Sequence, residues 1–320
     1  MRVLITGVAG FIGYHLANHL ILKKIKVFGL DNLNNYYDVN LKKKRLRNLK
    51  NKFKNKFSFF KLDITNYSKI RKIFSKYSFD YVVHLAAQAG VRFSIYSPSV
   101  YHASNIDGFF NILELSREFK IKHLIFASSS SVYGDQLKFP IKENFSTDSP
   151  LSFYAATKKS NEIVASSYSR IYNMKITGLR LFTVYGPYGR PDMSPYKFVQ
   201  KAIFNEKIDV YNMGKHTRDF TYVDDVVKII FKILKKRTNH KFKLLNISSS
   251  KPIKLMGFVK IIENIIGKKI KRNYLKRQKG DVLTTFASNA KLEKIVGKNY
   301  YTNINDGMKK FIEWYKRHIA

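Results

Sequence analysis

The chain has 320 residues, of which 45% are hydrophobic, and a formal net charge of +37. This length and apolar content predict a folded globular protein of about two domains. Cysteine is absent, which excludes disulfides and thiolate zinc sites; the eight histidines lack metal-ligand spacing, so no metal is predicted. No apolar run is long enough to span a bilayer, and the first residues form a predicted core strand rather than a cleavable signal. A cytoplasmic location is expected.

The positive charge raises the hypothesis of nucleic-acid binding, because a basic field attracts phosphate polyanions. Lysines are nevertheless spread along the whole chain beside Asn and Ile, as in 42–56, 69–76, 235–243 and 268–279. This distribution is typical of solvated surface charge, and no nucleic-acid partner is predicted. A positive surface would still attract a small anionic substrate.

A short apolar strand at the start of the chain leads directly into Gly7, Gly10 and Gly13. Gly7 permits a tight turn, Gly10 leaves room for a diphosphate, and Gly13 lets the helix predicted for 14–22 pack on the sheet. A second apolar strand ends at Asp31, near the spacing at which an acidic side chain accepts hydrogen bonds from an adenosine ribose. The pattern predicts NAD as the cofactor, and the alternative for Asp31 is a turn aspartate.

Strand and helix signals alternate as far as residue 182. Strands are predicted at 3–6, 26–30, 57–62, 81–85, 123–127 and 176–182. This alternation predicts an α/β fold of Rossmann type, a doubly wound parallel sheet with helices on both faces.

Prolines and glycines cluster after residue 183, where a second domain is predicted to begin. We expect residues 1–182 to form the NAD-binding domain and 183–320 mainly a smaller α/β substrate domain with shorter, irregular elements. A segment near 220–250, with an apolar run at 244–248, is expected to return to the first sheet. Residues 305–318 have helical spacing and predict a closing helix with Asn305 as its N-cap.

The predicted catalytic residues follow the fifth strand. Serines occupy 128–131, and Tyr154 and Lys158 are spaced to share one face of a helix. The Lys158 ammonium would then lie beneath Tyr154, lower the pKa of its phenol and reach the nicotinamide ribose. Such a tyrosine takes a proton from a sugar hydroxyl while hydride leaves the same carbon, and Ser129 would bond the same oxygen. The alternatives are a half-buried surface pair and a polar capping loop.

Several segments spread over nearly the whole chain carry a family pattern: LITGVAGFIGYHLA, GLDNLNNYYDV, HLAAQAGVRFS, ASSSSVYG, YAATKKSNE, GLRLFTVYGPYGRPDM, RDFTYVDD and a late GDV. With these motifs the chain resembles extended short-chain dehydrogenases/reductases of the nucleotide-sugar epimerase/dehydratase family, and within it the UDP-glucuronate 4-epimerases. The resemblance implies a UDP-sugar substrate, tightly bound NAD, and a homodimer paired through helices near 105–119 and 154–172.

The resemblance also extends the set of expected binding residues. For the cofactor the full set is Gly7, Gly10, Phe11, Ile12, Gly13, Asp31, Asn32, Asp63, Ile64, Ala86, Ala87, Gln88, Asn105, Tyr154, Lys158 and Phe182. For the substrate it is Arg92, Ser129, Ser130, Ser131, Thr183, Arg190, Arg218 and Asp281. The family pattern implies Asp63 and Ile64 at the adenine, Asn105 behind the nicotinamide, Arg218 on the nucleotide diphosphate and Asp281 toward the nucleoside.

Two departures from the family pattern bear on the substrate. Relatives acting on galactose-type sugars usually have Asn at the Thr183 position and Arg near Gln278. Dehydratases and decarboxylases place an acid after the serines, where this chain has Ser131. Loss of water across C5 and C6 needs a carboxylate beside the ring, and this segment supplies none. Epimerisation is therefore favoured over elimination.

The sugar carboxylate is predicted to bind Arg190, whose planar guanidinium suits a carboxylate; the alternative is a solvated loop arginine. The predicted activity is NAD-dependent 4-epimerisation between UDP-glucuronate and UDP-galacturonate through a 4-keto sugar. The alternatives are a 4-epimerase of a neutral or N-acetylated UDP-sugar, and a non-catalytic NAD-binding or nucleic-acid-binding protein.

Overall fold

The computed structural model describes residues 1–236 and 241–319. Its strands are β1 (Arg2–Thr6), β2 (Lys26–Asp31), β3 (Phe57–Lys61), β4 (Tyr81–His84), β5 (His123–Ser129), β6 (Ile176–Leu181), β7 (Thr183–Tyr185), β8 (Ile208–Tyr211), β9 (Thr217–Tyr222), β10 (Phe242–Ile247), β11 (Pro252–Lys254) and β12 (Arg272–Leu275). Its helices are α1 (Phe11–Leu22), α2 (Val39–Lys52), α3 (Tyr67–Lys76), α4 (Phe93–Tyr96), α5 (Pro98–Tyr101), α6 (Gly108–Glu118), α7 (Phe153–Ile171), α8 (Ser194–Ile203), α9 (Val223–Lys235), α10 (Leu255–Ile266), α11 (Ala290–Val296) and α12 (Ile304–His318).

Seven parallel strands form the central sheet, in the order β10-β6-β5-β4-β1-β2-β3. Strand residues such as Val3, Leu4 and Ile5 are fully buried, because α1 and α9 cover one face and α3, α6 and α7 cover the other. This confirms the predicted doubly wound α/β fold. The strand order reverses between β1 and β4, so the loops after these strands open a crevice at the carboxyl edge, where such sheets bind ligands.

A second group of elements packs around its own core beyond this edge. It contains the three-stranded sheet β11-β9-β7, the two-stranded sheet β12-β8, and the helices α8, α10 and α12. The helix α9 instead packs with α1, and β10 pairs in parallel with β6. On this packing we propose a division into 1–182 and, mainly, 183–320, with α9 and β10 returning to the first unit.

Three local expectations are wrong. The first helix starts at Phe11 rather than at residue 14, directly after the glycine turn. The closing helix is capped by Asn303, whose side chain accepts a hydrogen bond from the Asn305 N–H at 2.9 Å. The expectation of shorter, irregular elements after residue 183 fails for the helices, since α8, α10 and α12 are regular and have 10, 12 and 15 residues, although the strands β7, β8, β9, β11 and β12 have only three to six.

None of the helices in 1–236 and 241–319 is long and apolar enough to cross a membrane. The expected cytoplasmic location stays a prediction.

Candidate active site

A cavity of about 810 Å³ lies at the carboxyl edge of the sheet and reaches into the second group of elements. It brings together most of the predicted cofactor and substrate residues. Those in its wall are Gly7, Gly10, Phe11, Ile12, Gly13, Asp31, Asn32, Ile64, Ala86, Ala87, Gln88, Arg92, Ser129, Ser130, Ser131, Tyr154, Lys158, Phe182, Thr183, Arg190, Arg218 and Asp281. Asp63 and Asn105 are not among its lining residues.

The glycine turn forms one end of the cavity, and close backbone contacts explain its composition. Gly7 has a positive φ of 72°, and a Cβ there would lie 2.7 Å from the Ala86 backbone nitrogen. A Cβ on Gly13 would lie 2.2 Å from the Gly7 oxygen. The turn delivers the chain into α1, whose first N–H groups have no carbonyl acceptor within the helix. Backbone donors and the helix dipole therefore favour an anion such as a diphosphate here.

Asp31 closes the same end, at the last position of β2. Its Oδ2 accepts a hydrogen bond from the Ala9 N–H at 3.0 Å and its Oδ1 one from the Leu33 N–H at 2.9 Å. Burial raises the pKa of this carboxyl, and the two backbone bonds and Lys42 oppose the rise. Each carboxylate oxygen has a further lone pair, so the group can also accept from ribose hydroxyls.

Asn32 and Ile64 line the part of the cavity where the adenine is expected. Asn32 Nδ2 donates to Asp63 Oδ2 at 2.6 Å, and the Thr65 N–H donates to Asp63 Oδ1 at 2.9 Å. Asp63 thus orients Asn32 from outside the cavity lining. These hydrogen bonds lower the pKa of the Asp63 carboxyl, although burial opposes the shift.

Asn105 also supports the wall from behind. It lies in the π-helical turn His102–Asp107, where its Oδ1 accepts from the Gln88 N–H at 2.8 Å. Its Nδ2 donates to Gln88 O at 3.0 Å and to Thr157 Oγ1 at 3.1 Å. Asn105 therefore joins the loop after β4 to α7.

The residues present fit NAD. The glycine turn suits a diphosphate, and Asp31 suits the adenosine ribose. Gln88 is 3% exposed, lines the cavity, and its Nε2 has no hydrogen-bond partner among the described residues. A buried amide without an acceptor is costly, so this donor points to a polar ligand group.

Tyr154 and Lys158 lie one turn apart on α7 and both line the cavity, but their electrostatics differ from the expectation. Lys158 Nζ donates to the Ala127 carbonyl at 2.9 Å, and burial lowers its pKa to about 8 although Glu162 opposes the shift. Burial raises the pKa of Tyr154, while the Ser129 hydroxyl and the Arg190 cation lower it. The predicted lowering of the Tyr154 pKa by Lys158 is thus wrong for the free protein; the opposing cation is Arg190.

A buried ion pair beside Tyr154 and Lys158 was not predicted from the sequence. Arg180 donates to both oxygens of Glu162, from Nε at 2.8 Å and from Nη2 at 2.7 Å, and the two side chains are 3% and 2% exposed. Ser128 Oγ also donates to Glu162, at 2.6 Å. The pair therefore ties α7 to β5 and β6 where Ser129 leaves the sheet. The sequence signal that could have identified Glu162 is its four-residue spacing from Lys158, which places both side chains on one face of α7.

The part of the cavity where the sugar is expected contains the serine turn and the loop of Arg190. Ser129 Oγ accepts from the Ser131 N–H at 3.2 Å and lies 3.1 Å from Ser131 Oγ, so both hydroxyls face one space. Arg190 donates to Asp192 from Nε at 3.0 Å and from Nη2 at 2.5 Å. The alternative of a solvated loop arginine is wrong, because Arg190 lines the cavity in a two-bonded pair.

The far end gathers basic side chains around Asp281. Arg92 Nη2, His216 Nε2 and Arg218 Nη2 lie 3.7, 3.5 and 3.5 Å from its carboxylate oxygens. Arg277, outside the predicted set like His216, donates to the Asp281 carbonyl at 2.6 Å. Asp281 and Asp135, which pairs with Arg277 at 2.8 Å, offset part of the charge of the three arginines, and one positive charge remains for an anionic ligand.

The comparisons with known proteins agree with this geometry. The sequence pattern of the NAD dependent epimerase/dehydratase family matches residues 3–248. Protein CapI of Staphylococcus aureus is 47% identical, over 98% of this chain and 98% of its own length. The UDP-glucuronate 4-epimerase of Thermodesulfobacterium geofontis is 44% identical, over 99% of this chain and 96% of its own. The solved UDP-glucuronic acid 4-epimerase of Bacillus cereus, in complex with UDP-glucuronic acid and NAD, has a TM-score of 0.94 and 30% identity over 99% of both chains. The chain therefore belongs to the NAD-dependent epimerase/dehydratase family.

Proposed function

We propose that the protein is an NAD-dependent 4-epimerase that interconverts UDP-glucuronate and UDP-galacturonate. The observation that carries this proposal is the position of Arg190, whose cation lies in the cavity close enough to lower the pKa of Tyr154. A positive charge beside the catalytic phenol suits a sugar whose C6 is a carboxylate, because C6 is attached to C5, the neighbour of the reacting C4. Two relatives named UDP-glucuronate 4-epimerase, at 44% and 30% identity, support the same substrate.

The catalytic work divides among a few side chains. NAD supplies, when bound, a hydride acceptor and donor for C4 of the sugar. Tyr154 removes the proton of the C4 hydroxyl and later returns one, while Ser129 holds the same oxygen. Lys158, whose ammonium donates to the Ala127 carbonyl, would bind the nicotinamide ribose in this proposal. Between the two proton transfers the 4-keto sugar turns over and presents its other face. Because the hydride taken from C4 would be returned to C4, no net oxidation occurs.

Arg190 has a second task, because a 4-keto uronic acid is a β-keto acid and can lose carbon dioxide. Decarboxylation needs the C5–C6 bond aligned with the carbonyl π system. A guanidinium that holds the carboxylate in another orientation suppresses this loss, and the hydroxyls of Thr183 and Ser131 add further donors. Ser131 stands where an elimination enzyme has an acid, so no base on the serine turn promotes loss of water.

One observation favours a second substrate class, the neutral or N-acetylated UDP-sugars. Arg190 is already paired with Asp192, so the two side chains together carry no net charge. Incubation of the purified protein with UDP-glucuronate, UDP-glucose and UDP-N-acetylglucosamine, with products separated by chromatography, distinguishes the two classes. We expect UDP-galacturonate to form from UDP-glucuronate. Conversion of the neutral UDP-sugars alone would show that they, and not UDP-glucuronate, are the substrates. No turnover of any UDP-sugar would leave the non-catalytic alternative.

We further propose a homodimer paired through α6 and α7. Apolar side chains on these helices, and that of Tyr172 directly after α7, remain exposed: Phe110 is 46%, Ile163 58%, Ile171 68% and Tyr172 46% exposed. Exposed apolar side chains on two neighbouring helices favour burial against a partner, here a second copy. Light scattering should give twice the chain mass, and Ile163→Lys should shift it toward one chain. A wild-type protein with the mass of one chain would contradict the proposal.

A further inference from the structure

The loop 186–192, which carries Arg190, rests on elements of the cofactor-binding half. His15 Nε2 lies 2.8 Å from Pro187 O, which fixes the start of the loop to α1. Arg45, fully buried on α2, donates to Tyr188 O at 2.7 Å and to the Ala9 carbonyl of the glycine turn at 2.8 Å. The loop backbone is therefore held against the NAD-binding half, and the direction of Arg190 depends on contacts of its side chain.

The side chain of Arg190 is held by Asp192. Its carboxylate accepts two hydrogen bonds from Arg190, through Nε and Nη2, and a third from the Tyr36 hydroxyl at 3.2 Å. Burial raises the pKa of Tyr36 to about 12, so the phenol remains a donor at neutral pH. The third nitrogen of Arg190, Nη1, takes no part in the pair. Arg190, Asp192 and Tyr36 all line the cavity.

We propose that Asp192 is a positioning residue that fixes the orientation of Arg190 and limits how strongly its cation binds the sugar carboxylate. This inference rests on the proposed function. With Nε and Nη2 engaged, Arg190 presents only its remaining N–H groups to the substrate, and the negative charge of Asp192 offsets the attraction. A carboxylate held by an unopposed guanidinium would bind more tightly and turn over less easily, because the 4-keto sugar must release that contact to rotate.

Asp192 also acts on Tyr154 through Arg190. The titratable groups around the phenol are Lys158 one turn along α7, Tyr101 with its ring centre 6.1 Å away, and Arg190 from the loop, with Asp192 behind it. The Arg190 cation lowers the pKa of Tyr154, and the Asp192 carboxylate offsets that cation. Removal of the carboxylate charge therefore lowers the pKa of Tyr154 further, and the ascending limb of the kcat pH profile moves to lower pH.

The test is Asp192→Asn in the NAD-loaded enzyme, with Asp192→Ser as a second neutral variant in case the first does not fold. Asp192→Glu retains the charge, and Asp80→Asn makes the same charge change at the far edge of the sheet, where Asp80 pairs with Lys122. We measure KM and kcat for UDP-glucuronate, the affinity for UDP-glucose by competition, and the pH profile of kcat.

Loss of the Asp192 charge should strengthen the binding of UDP-glucuronate about five- to tenfold, with little change in the binding of UDP-glucose. It should also lower kcat and move the ascending limb of the kcat pH profile by roughly half a pH unit or more. Asp192→Glu and Asp80→Asn should leave the limb in place. Equal weakening of the binding of both UDP-sugars, with no shift of the ascending limb, would overturn the proposal, because a general distortion of the loop would give that result. If the wild type does not convert UDP-glucuronate, the proposed function fails, and equilibrium binding of the two sugars still tests the role of Asp192.

Discussion

Removal of the buried negative charge at Glu162 should lower the free energy of unfolding of the protein. In Glu162→Gln the amide keeps one acceptor, while Arg180 loses the carboxylate that takes its two hydrogen bonds of 2.8 and 2.7 Å. Both side chains are almost fully buried, so water does not replace the lost partner. Breaking such a pair leaves an uncompensated guanidinium and costs about 3–5 kcal/mol of the free energy of unfolding. Ser128→Ala, which removes one hydrogen bond to the same carboxylate, should cost only about 1 kcal/mol.

A double-mutant cycle measured by urea unfolding tests this reasoning. Arg180→Met fills a similar volume without charge, so Glu162→Gln combined with Arg180→Met should recover at least about 2 kcal/mol relative to the sum of the single variants. In Glu162→Gln the charge that raises the pKa of Lys158 is also lost, so the pKa of Lys158 should fall further. Additive costs, with a coupling below about 0.5 kcal/mol, would refute the reasoning.

Four further outcomes are expected. Tyr154→Phe should keep the fold and NAD while turnover falls about 10²- to 10⁴-fold, and near wild-type activity would contradict its role as acid and base. The wild type should prefer NAD, and Asp31→Ala should narrow the preference over NADP because the carboxylate no longer repels a 2′-phosphate; equal wild-type affinities would contradict this. Arg190→Ala should lower kcat/KM for UDP-glucuronate by an amount equivalent to about 1.5–3 kcal/mol, and kcat/KM for UDP-glucose far less. Mass spectrometry should detect more decarboxylated pentose product. Equal losses on the two substrates would make Arg190 a structural residue. Burial lowers the pKa of His84 and His123 to about 3, so between pH 7 and about 5.5 only the unfolded chain takes up their protons, and the free energy of unfolding should fall by about 1.2 kcal/mol for each. Urea unfolding at both pH values checks the sign, and His123→Gln should remove its share of the fall.

The features whose placement could be predicted from the sequence are local. Gly7 and Gly13 are required by backbone approaches within the first turn and the strand beside it, and Asp31 stands at a strand end. Tyr154 and Lys158 share a cavity wall because residues four apart lie on one helical face. The strands of the central sheet were predictable because each is a short buried apolar run between turn signals.

The missed features depend on contacts between distant segments. Arg180 and Glu162 meet only because β6 and α7 pack together, and Asp281 meets Arg92 across 189 positions of sequence. Asp192 is only two residues from Arg190, yet their pairing depends on a loop in which Tyr188 has a positive φ of 57°. Such a loop conformation follows from packing and not from residue spacing.

The most direct measurement follows the hydrogen at C4 of the sugar. UDP-glucuronate labelled with deuterium at C4 is incubated with the purified NAD-bound enzyme, and the UDP-galacturonate formed is analysed by mass spectrometry and proton NMR. Transfer of this hydrogen away from C4 and back, with Tyr154 handling only the hydroxyl proton, predicts that the product retains the deuterium at C4 and gains none from heavy water. Loss of the label to solvent, or the absence of UDP-galacturonate, would contradict epimerisation through a 4-keto sugar.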